Sequence, residues 1–397
     1  MKLAFVTPWY GLDIPGGAEA ECRKTAEHLS ESGFPVEILT TCVRDFHSDW
    51  SRNFHREGTD LVNGVPVRRF PVRKVNGKLY ESLNSKIIND QPLSEREAEI
   101  FFAESIRSDR LIEYMRNHRN DYLFIFIPYL FGTTYWGAQV CPERSILIPC
   151  LHDEGYAYLK AWGPVFRQVK GVIFHSEAEM RLAARLYELK PESMALLGEG
   201  IDADFHGDAN RFQKKFGLRD FILYAGRKDE MKNVPLLIDY FGKFRQNPQR
   251  NKERDAKLVL IGSGQVEIPD NNKKHVIDLG FVSDADRADA YAASLVLCQP
   301  SIHESFSLPL MESWLAGRPV LVNSACAVTR QHCEASGGGL SFFDCREFEE
   351  SLEFLLEDPD TRRKMGERGK KYVLENYRWE KVMQRYLQTF SRWGITL

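Results

Sequence analysis

His303-Glu304-Ser305-Phe306-Ser307-Leu308-Pro309-Leu310-Met311-Glu312-Ser313-Trp314-Leu315-Ala316-Gly317-Arg318-Pro319 lies between two short apolar runs, residues 295–299 and 319–323. Runs of that length bounded by turn residues read as buried strands. Pro309 suits a first helical position, where its missing N–H costs nothing. Gly317 suits the stop, and Pro319 bars continuation. The stretch is therefore strand, loop, helix, strand, the repeating unit of an α/β sheet. Helix N–H groups near Ser307 and Leu308 would point outward unpaired, which makes an anion site. Two carboxylates, Glu304 and Glu312, flank that helix start. Glutamates beside an anion site suit neutral hydroxyls, so a ligand carrying a diphosphate and several hydroxyls fits.

The same alternation runs outward through the chain. Apolar runs at 3–7, 36–43, 122–127, 145–150 and 171–175 each precede loop or helical sequence. Ala18, Cys22, Thr25, Ala26 and Leu29 recur at helical spacing, and Gly33 stops that helix. A second series begins at 221–225 and adds the helical stripe Val234, Leu237, Ile238 and Phe241. Its further strands are expected at 257–261, 295–299 and 319–323. Ser283 with Asp286 makes a capping-box pattern. Residues 44–120 read as polar and irregular, with a turn at Asn63-Gly64 and one helix near 95–118. A chain of 397 residues exceeds one typical core. The expected fold class is α/β, with two Rossmann-like doubly wound domains facing each other across a cleft. Residues 1–205 form the first and 206–378 the second.

Composition narrows the partners. A formal charge of −3 gives no global pull toward nucleic acid. Eight cysteines without a C-x-x-C pair suit reduced thiols in a cytoplasmic protein. The apolar run after Met1 is too short for a signal peptide, and no run reaches the roughly 18 residues of a membrane span. Arg107, Arg110, Arg116 and Arg119 fall on one expected helix, but Asp109 and Glu113 interrupt them, which reads as a solvated face. Peripheral contact at the inner face of a membrane stays open. Oligomeric state does not follow from the sequence.

Several residues stand where chemistry is expected. Gly16 and Gly17 separate a strand from a helix and let backbone N–H groups approach a ligand closely. The spacing is not G-x-G-x-x-G, so a nicotinamide fingerprint is not supported. Arg227 and Lys232 follow the strand at 221–225, and strand ends of open α/β sheets face the ligand crevice. A guanidinium and an ammonium there can neutralise a leaving diphosphate. His152, Asp153 and Glu154 follow the strand at 145–150 and precede Tyr156, Tyr158 and Trp162. Glu304 and Glu312 would differ by about 80° on a regular helix, so they can hold opposite ends of one ligand. None of the Asp-x-Asp pairs at Asp202/Asp204, Asp284/Asp286 and Asp358/Asp360 follows an apolar strand with convergent acids elsewhere, so no metal is expected.

Taken in order, Gly16-Gly17, His152-Asp153, Arg227 with Lys232, Gly280-Phe281-Val282-Ser283 and Glu304 with Glu312 resemble the motifs of retaining glycosyltransferases of the GT-B fold, family 4 in particular. They span nearly the whole chain. The resemblance implies a nucleotide-sugar donor, UDP-sugar first and GDP-sugar second, and a glycan or lipid-linked acceptor. It implies cell-surface polysaccharide or glycolipid synthesis, with no metal or other cofactor. It gives Glu312 the ribose hydroxyls and Glu304 the donor sugar. Arg227 and Lys232 take the leaving diphosphate. His152 lines the sugar, and Asp153 or Glu154 the acceptor. The backbone of Val282 meets the nucleobase, and Phe306, Ser307 and Leu308 supply N–H groups and a wall. Gly16 and Gly17 approach the donor. The terminal helix, about 379–397, packs back on the first domain. Three places depart from the family pattern. Acids stand between Arg227 and Lys232, Asn233 replaces a common glycine, and Glu199 replaces the asparagine of the hinge segment. Two other readings fit the fold: a nucleotide-sugar epimerase and a non-catalytic partner subunit that binds nucleotide-sugar.

Overall fold

The buried apolar runs assemble into two parallel sheets in the computed structural model, which describes residues 1–14, 16–228, 230–247 and 256–395. The chain divides into two units: residues 1–200 with 379–397, and residues 201–378. That boundary falls a few residues before the expected 205/206.

The first unit holds β1 (Lys2–Thr7), β2 (Val36–Thr41), β3 (Gly58–Val62), β4 (Val65–Phe70), β5 (Tyr122–Phe126), β6 (Ser145–Leu147), β7 (Gly171–Phe174) and β8 (Met194–Leu196). Their order is β3-β4-β2-β1-β5-β6-β7-β8, and only β3 pairs antiparallel. Side chains alternate across a strand. Ala4 and Val6 of β1 therefore enter one core, and Leu3 and Phe5 enter the other. A strand apolar on both faces is the mark of a covered parallel sheet.

The terminal helix Trp379–Arg392 presents Trp379, Val382, Met383, Tyr386 and Phe390 at helical spacing to the core that holds Leu3 and Phe5. Its expected extension to 397 ends in residues outside the described ones.

The second unit holds β9 (Phe221–Ala225), β10 (Leu258–Ile261), β11 (Val276–Asp278), β12 (Ser294–Gln299), β13 (Val320–Asn323) and β14 (Gly339–Phe342). All pairs are parallel, in the order β11-β10-β9-β12-β13-β14. Leu223 and Ala225 face one core, and Ile222 and Tyr224 the other.

Two expectations for residues 44–120 need correction. Asn63 and Gly64 both adopt positive φ, 48° and 81°, and close a β3–β4 hairpin in the turn type that matches strand twist. That segment is therefore part of the sheet. The single helix near 95–118 is two helices, Glu95–Glu104 and Asp109–Asn117. The backbone is extended at Ser105, and Ser108 caps the second helix by accepting from Leu111 N–H.

Candidate active site

In the second unit the chain leaves β9 toward β10 on one side, then returns to place β12 on the other. The ends of β9 and β12 thus form a topological switch point, where open α/β sheets bind ligands. Arg227 and Lys232 follow β9, and Glu304 follows β12. The switch point brings Lys232 Nζ to 2.8 Å from Glu304 Oε1. Lys232 also donates to the carbonyl of His303 at 3.3 Å. Gln299, the last residue of β12, donates to Glu304 Oε1 at 3.3 Å. Asn233 takes the left-handed conformation that glycine would favour, φ 58°, and donates to the carbonyl of Pro300 at 3.2 Å. An asparagine therefore satisfies this turn and ties the two loops together.

The Arg227 backbone is fixed from below, since the hydroxyl of Tyr224 donates to its carbonyl at 2.6 Å. The loop after β9 also lies against the loop after β10. A Cβ on Gly262 would stand 1.9 Å from the Gly226 carbonyl oxygen, and Lys228 N–H donates to the Ser263 carbonyl at 2.8 Å. Lys228 itself is buried and paired with Asp278. Of the three bases in this loop, one is thus part of the loop's own structure. Asp229 lies outside the described residues.

Glu304 sits in the loop before the helix Leu308–Leu315, and only Glu312 is helical. The rotation argument for the two carboxylates therefore does not apply, but each has its own cation. Arg287 Nη2 lies 3.1 Å from Glu312 Oε1. Arg287 comes from the helix Asp284–Ala293, whose cap Ser283 accepts from Asp286 N–H. Burial and then the Glu312 charge push the Tyr291 phenol well up from its ordinary range. Ser307 is the N-cap with φ 81° and makes no side-chain cap bond. The Phe306 ring is core, edge-on to His332 and Tyr377 at 5.3 and 4.9 Å. A ligand can use only its backbone. Leu308 and Val282 are half-buried against the same core.

In the first unit Gly16 caps the helix Gly17–Glu31 with φ 143°. The Glu19 carboxylate fills the Gly16 side, where a Cβ would stand 1.9 Å from Oε2. Trp9 Nε1 holds that carboxylate at 2.7 Å. Beside Gly17 nothing lies within 4 Å of an added Cβ, so of the two glycines Gly17 has the open side. His152 stands half-buried after β6, with Nδ1 3.6 Å from Glu154 Oε1. Tyr129 donates to the same oxygen at 3.4 Å. Asp153 turns instead to the Tyr158 hydroxyl at 2.6 Å and to Arg185 at 3.7 Å. The structure groups Glu154, not Asp153, with His152.

Sequence reading missed Arg287, Lys228 and Gln299. A polar residue closing an apolar strand was a usable signal for Gln299. Arg287 follows a recognised cap, but nothing in the spacing pairs it with Glu312.

Residues 208–372 match the family model of glycosyl transferases group 1. Over 405 aligned positions the chain is 25% identical to a D-inositol 3-phosphate glycosyltransferase of Kribbella flavida, covering 96% of this chain and 91% of the relative. It is 24% identical over 254 residues to an MMP α-(1→4)-mannosyltransferase of Mycolicibacterium hassiacum, 60% of this chain and 57% of that one. Anabaena HepE, solved in complex with UDP, superposes with a TM-score of 0.71 at 15% identity, covering 98% of this chain and 100% of that one. The alternating parallel sheets, the switch-point residues of the second unit and these similarities agree that the chain is a glycosyltransferase of the GT-B fold.

Proposed function

We propose that this enzyme is a retaining, metal-independent transferase that moves a sugar from a UDP-sugar to a glycan or lipid-linked acceptor in cell-surface polysaccharide or glycolipid synthesis. The observation that carries the reading is the pairing of Lys232 with Glu304 at the β9/β12 switch point, with Arg227 in the same loop. A cation there meets the diphosphate as charge builds on it, and a carboxylate beside it accepts from sugar hydroxyls. Glu312, held by Arg287, would take the ribose hydroxyls. His152, with Glu154 beside it, would face the transferred sugar and the acceptor. Gly17, open where Gly16 is filled, would let backbone approach the donor. The solved HepE complex with UDP supports uridine as the base. Among the described residues no helix is long and apolar enough to cross a membrane.

A thermal-shift series tests this reading, because a ligand that binds only the folded chain raises its melting temperature. UDP should raise it in EDTA by the same increment as in buffer. A shift seen only with Mg²⁺ or Mn²⁺ would sink metal independence, and no shift with any nucleotide would sink the donor assignment. Product anomeric configuration, read by NMR against the donor, tests retention.

A further inference from the structure

The first unit contains a second group of reactive side chains that the transfer reading does not use. Glu21 lies on the helix Gly17–Glu31, Cys150 follows β6, and His175 follows β7. Three atoms converge. His175 Nε2 is 2.7 Å from Glu21 Oε2, Cys150 Sγ is 3.7 Å from that same oxygen, and Cys150 Sγ is 3.9 Å from His175 Nε2. Glu21 and His175 are buried, and Cys150 is half-buried. Among the described residues this is the group of His, Cys and acidic side chains close enough to share one ion.

We propose that Glu21, Cys150 and His175 bind one Zn²⁺, as a structural ion that ties the ends of β6 and β7 to the first helix.

The circle through the three atoms has a radius of about 2.0 Å, against bonds of roughly 2.0 Å to nitrogen or oxygen and 2.3 Å to sulfur around zinc. Bonds slightly longer than that radius place the ion a little out of the plane of the three atoms and leave the fourth tetrahedral position to water. A thiolate and an imidazole select zinc over magnesium or calcium, which prefer oxygen alone.

The surroundings are those of a prepared site. The buried carboxylate of Glu179 accepts from the backbone N–H of Leu151 at 2.7 Å and of His175 at 2.8 Å. It therefore clamps both ligand-bearing loops, and the backbone N–H of Glu179 donates to the Ser176 hydroxyl at the helix cap. Cys150 holds a left-handed φ of 53°, a conformation that costs energy for a side-chain-bearing residue and recurs at functional positions. The negative charges of Glu21, Glu179 and Glu199 all act on His175 and Cys150, so a divalent cation offsets a buried surplus of carboxylate.

The full chain, stripped with a chelator and retitrated, tests the proposal. Zinc should bind at one ion per chain against a competing chromophoric chelator and raise the melting temperature. Cobalt in its place should give a thiolate-to-metal charge-transfer band in the near ultraviolet. That band should vanish in Cys150→Ser, and Glu179→Gln should weaken zinc binding roughly ten- to a hundredfold. X-ray absorption of the zinc-loaded wild type, which needs no variant to fold, should report one sulfur and two or three lighter ligands. No stoichiometric zinc in the wild type overturns the proposal. A cobalt band unchanged in Cys150→Ser, or a zinc edge without sulfur, overturns it as well. UDP shifts measured with and without zinc keep this result separate from the donor assignment.

Discussion

Lys232 Nζ and Glu304 Oε1 are ion-paired at 2.8 Å, so two residues with separate ligand roles in the sequence reading are partners in the protein. An ammonium carries three donors, so Lys232 can keep Glu304 and still reach a phosphate oxygen. The carboxylate in turn aims the ammonium, which makes the pair one device. Lys232→Ala and Arg227→Ala are each expected to lower turnover about a hundredfold, the scale for losing one contact to developing charge. The double variant Lys232→Ala with Glu304→Ala should lose much less than the product of the single losses. Steady-state rates with matched donor and acceptor, on variants checked by circular dichroism, decide this. Multiplicative losses would separate the two residues.

Glu312 is held by Arg287 at 3.1 Å, on a different helix from the loop that carries Glu304. Glu312→Ala should therefore weaken free UDP binding about ten- to a hundredfold, the range for losing hydrogen bonds to a charged group. Arg287→Ala should weaken it less, because Glu312 remains and loses only its orientation. Glu304→Ala should weaken UDP binding much less than Glu312→Ala, through the lost orientation of Lys232 alone, while lowering turnover. Calorimetric titration with UDP measures all three. Equal losses for Glu304→Ala and Glu312→Ala would contradict the division of roles.

The strands legible in sequence are the central ones. β1, β5, β9 and β12 are buried along nearly their whole length, and burial on both faces writes a continuous apolar run. The strands missed are at or beside sheet edges: β3 and β4, β8, β11 and β14. β3 is exposed along most of its length, and β8 and β11 have three residues each. Such segments owe their place to a neighbour and not to their own pattern. The same limit applies to the candidate site. Arg227, Lys232, Glu304 and Glu312 follow from motif order, whereas Lys228–Asp278 and Arg287–Glu312 join residues distant in sequence. Nothing local distinguished Lys228 from the basic residues beside it.

Trp379 is expected to anchor the terminal helix. It is buried, stacks on His28 with centroids 4.1 Å apart, and occupies the space beside Gly200, where a Cβ would stand 2.2 Å from its Cε3. Trp379→Ala should destabilise the first unit by about 3–5 kcal/mol, the usual range for removing a large buried aromatic. Gly200→Ala should also destabilise, by overpacking the same contact. Urea unfolding followed by fluorescence and circular dichroism reads both. A wild-type midpoint for Trp379→Ala would mean that the helix is held elsewhere.

His332 links acid stability to the candidate site. Its ring is buried, with Nδ1 3.0 Å from the Tyr372 hydroxyl, and stands near-perpendicular to the buried ring of Phe306, two residues on from Glu304. Burial pulls its imidazole down from the ordinary 6.5 to about 4, because a charged ring there would lose its water. The folded chain therefore holds this proton less tightly than the unfolded chain. Its contribution to stability is complete above about 6.5 and is lost as pH falls toward about 4. The melting temperature should drop across that window. In His332→Gln, which cannot titrate, the drop should be smaller even if the variant starts lower. UDP binding should weaken in the same window, since a ring forced to charge must leave Phe306 and loosen the loop behind Glu304. Melting curves and UDP titrations at matched pH values test both statements. A His332→Gln profile parallel to that of the wild type would remove His332 from the acid response.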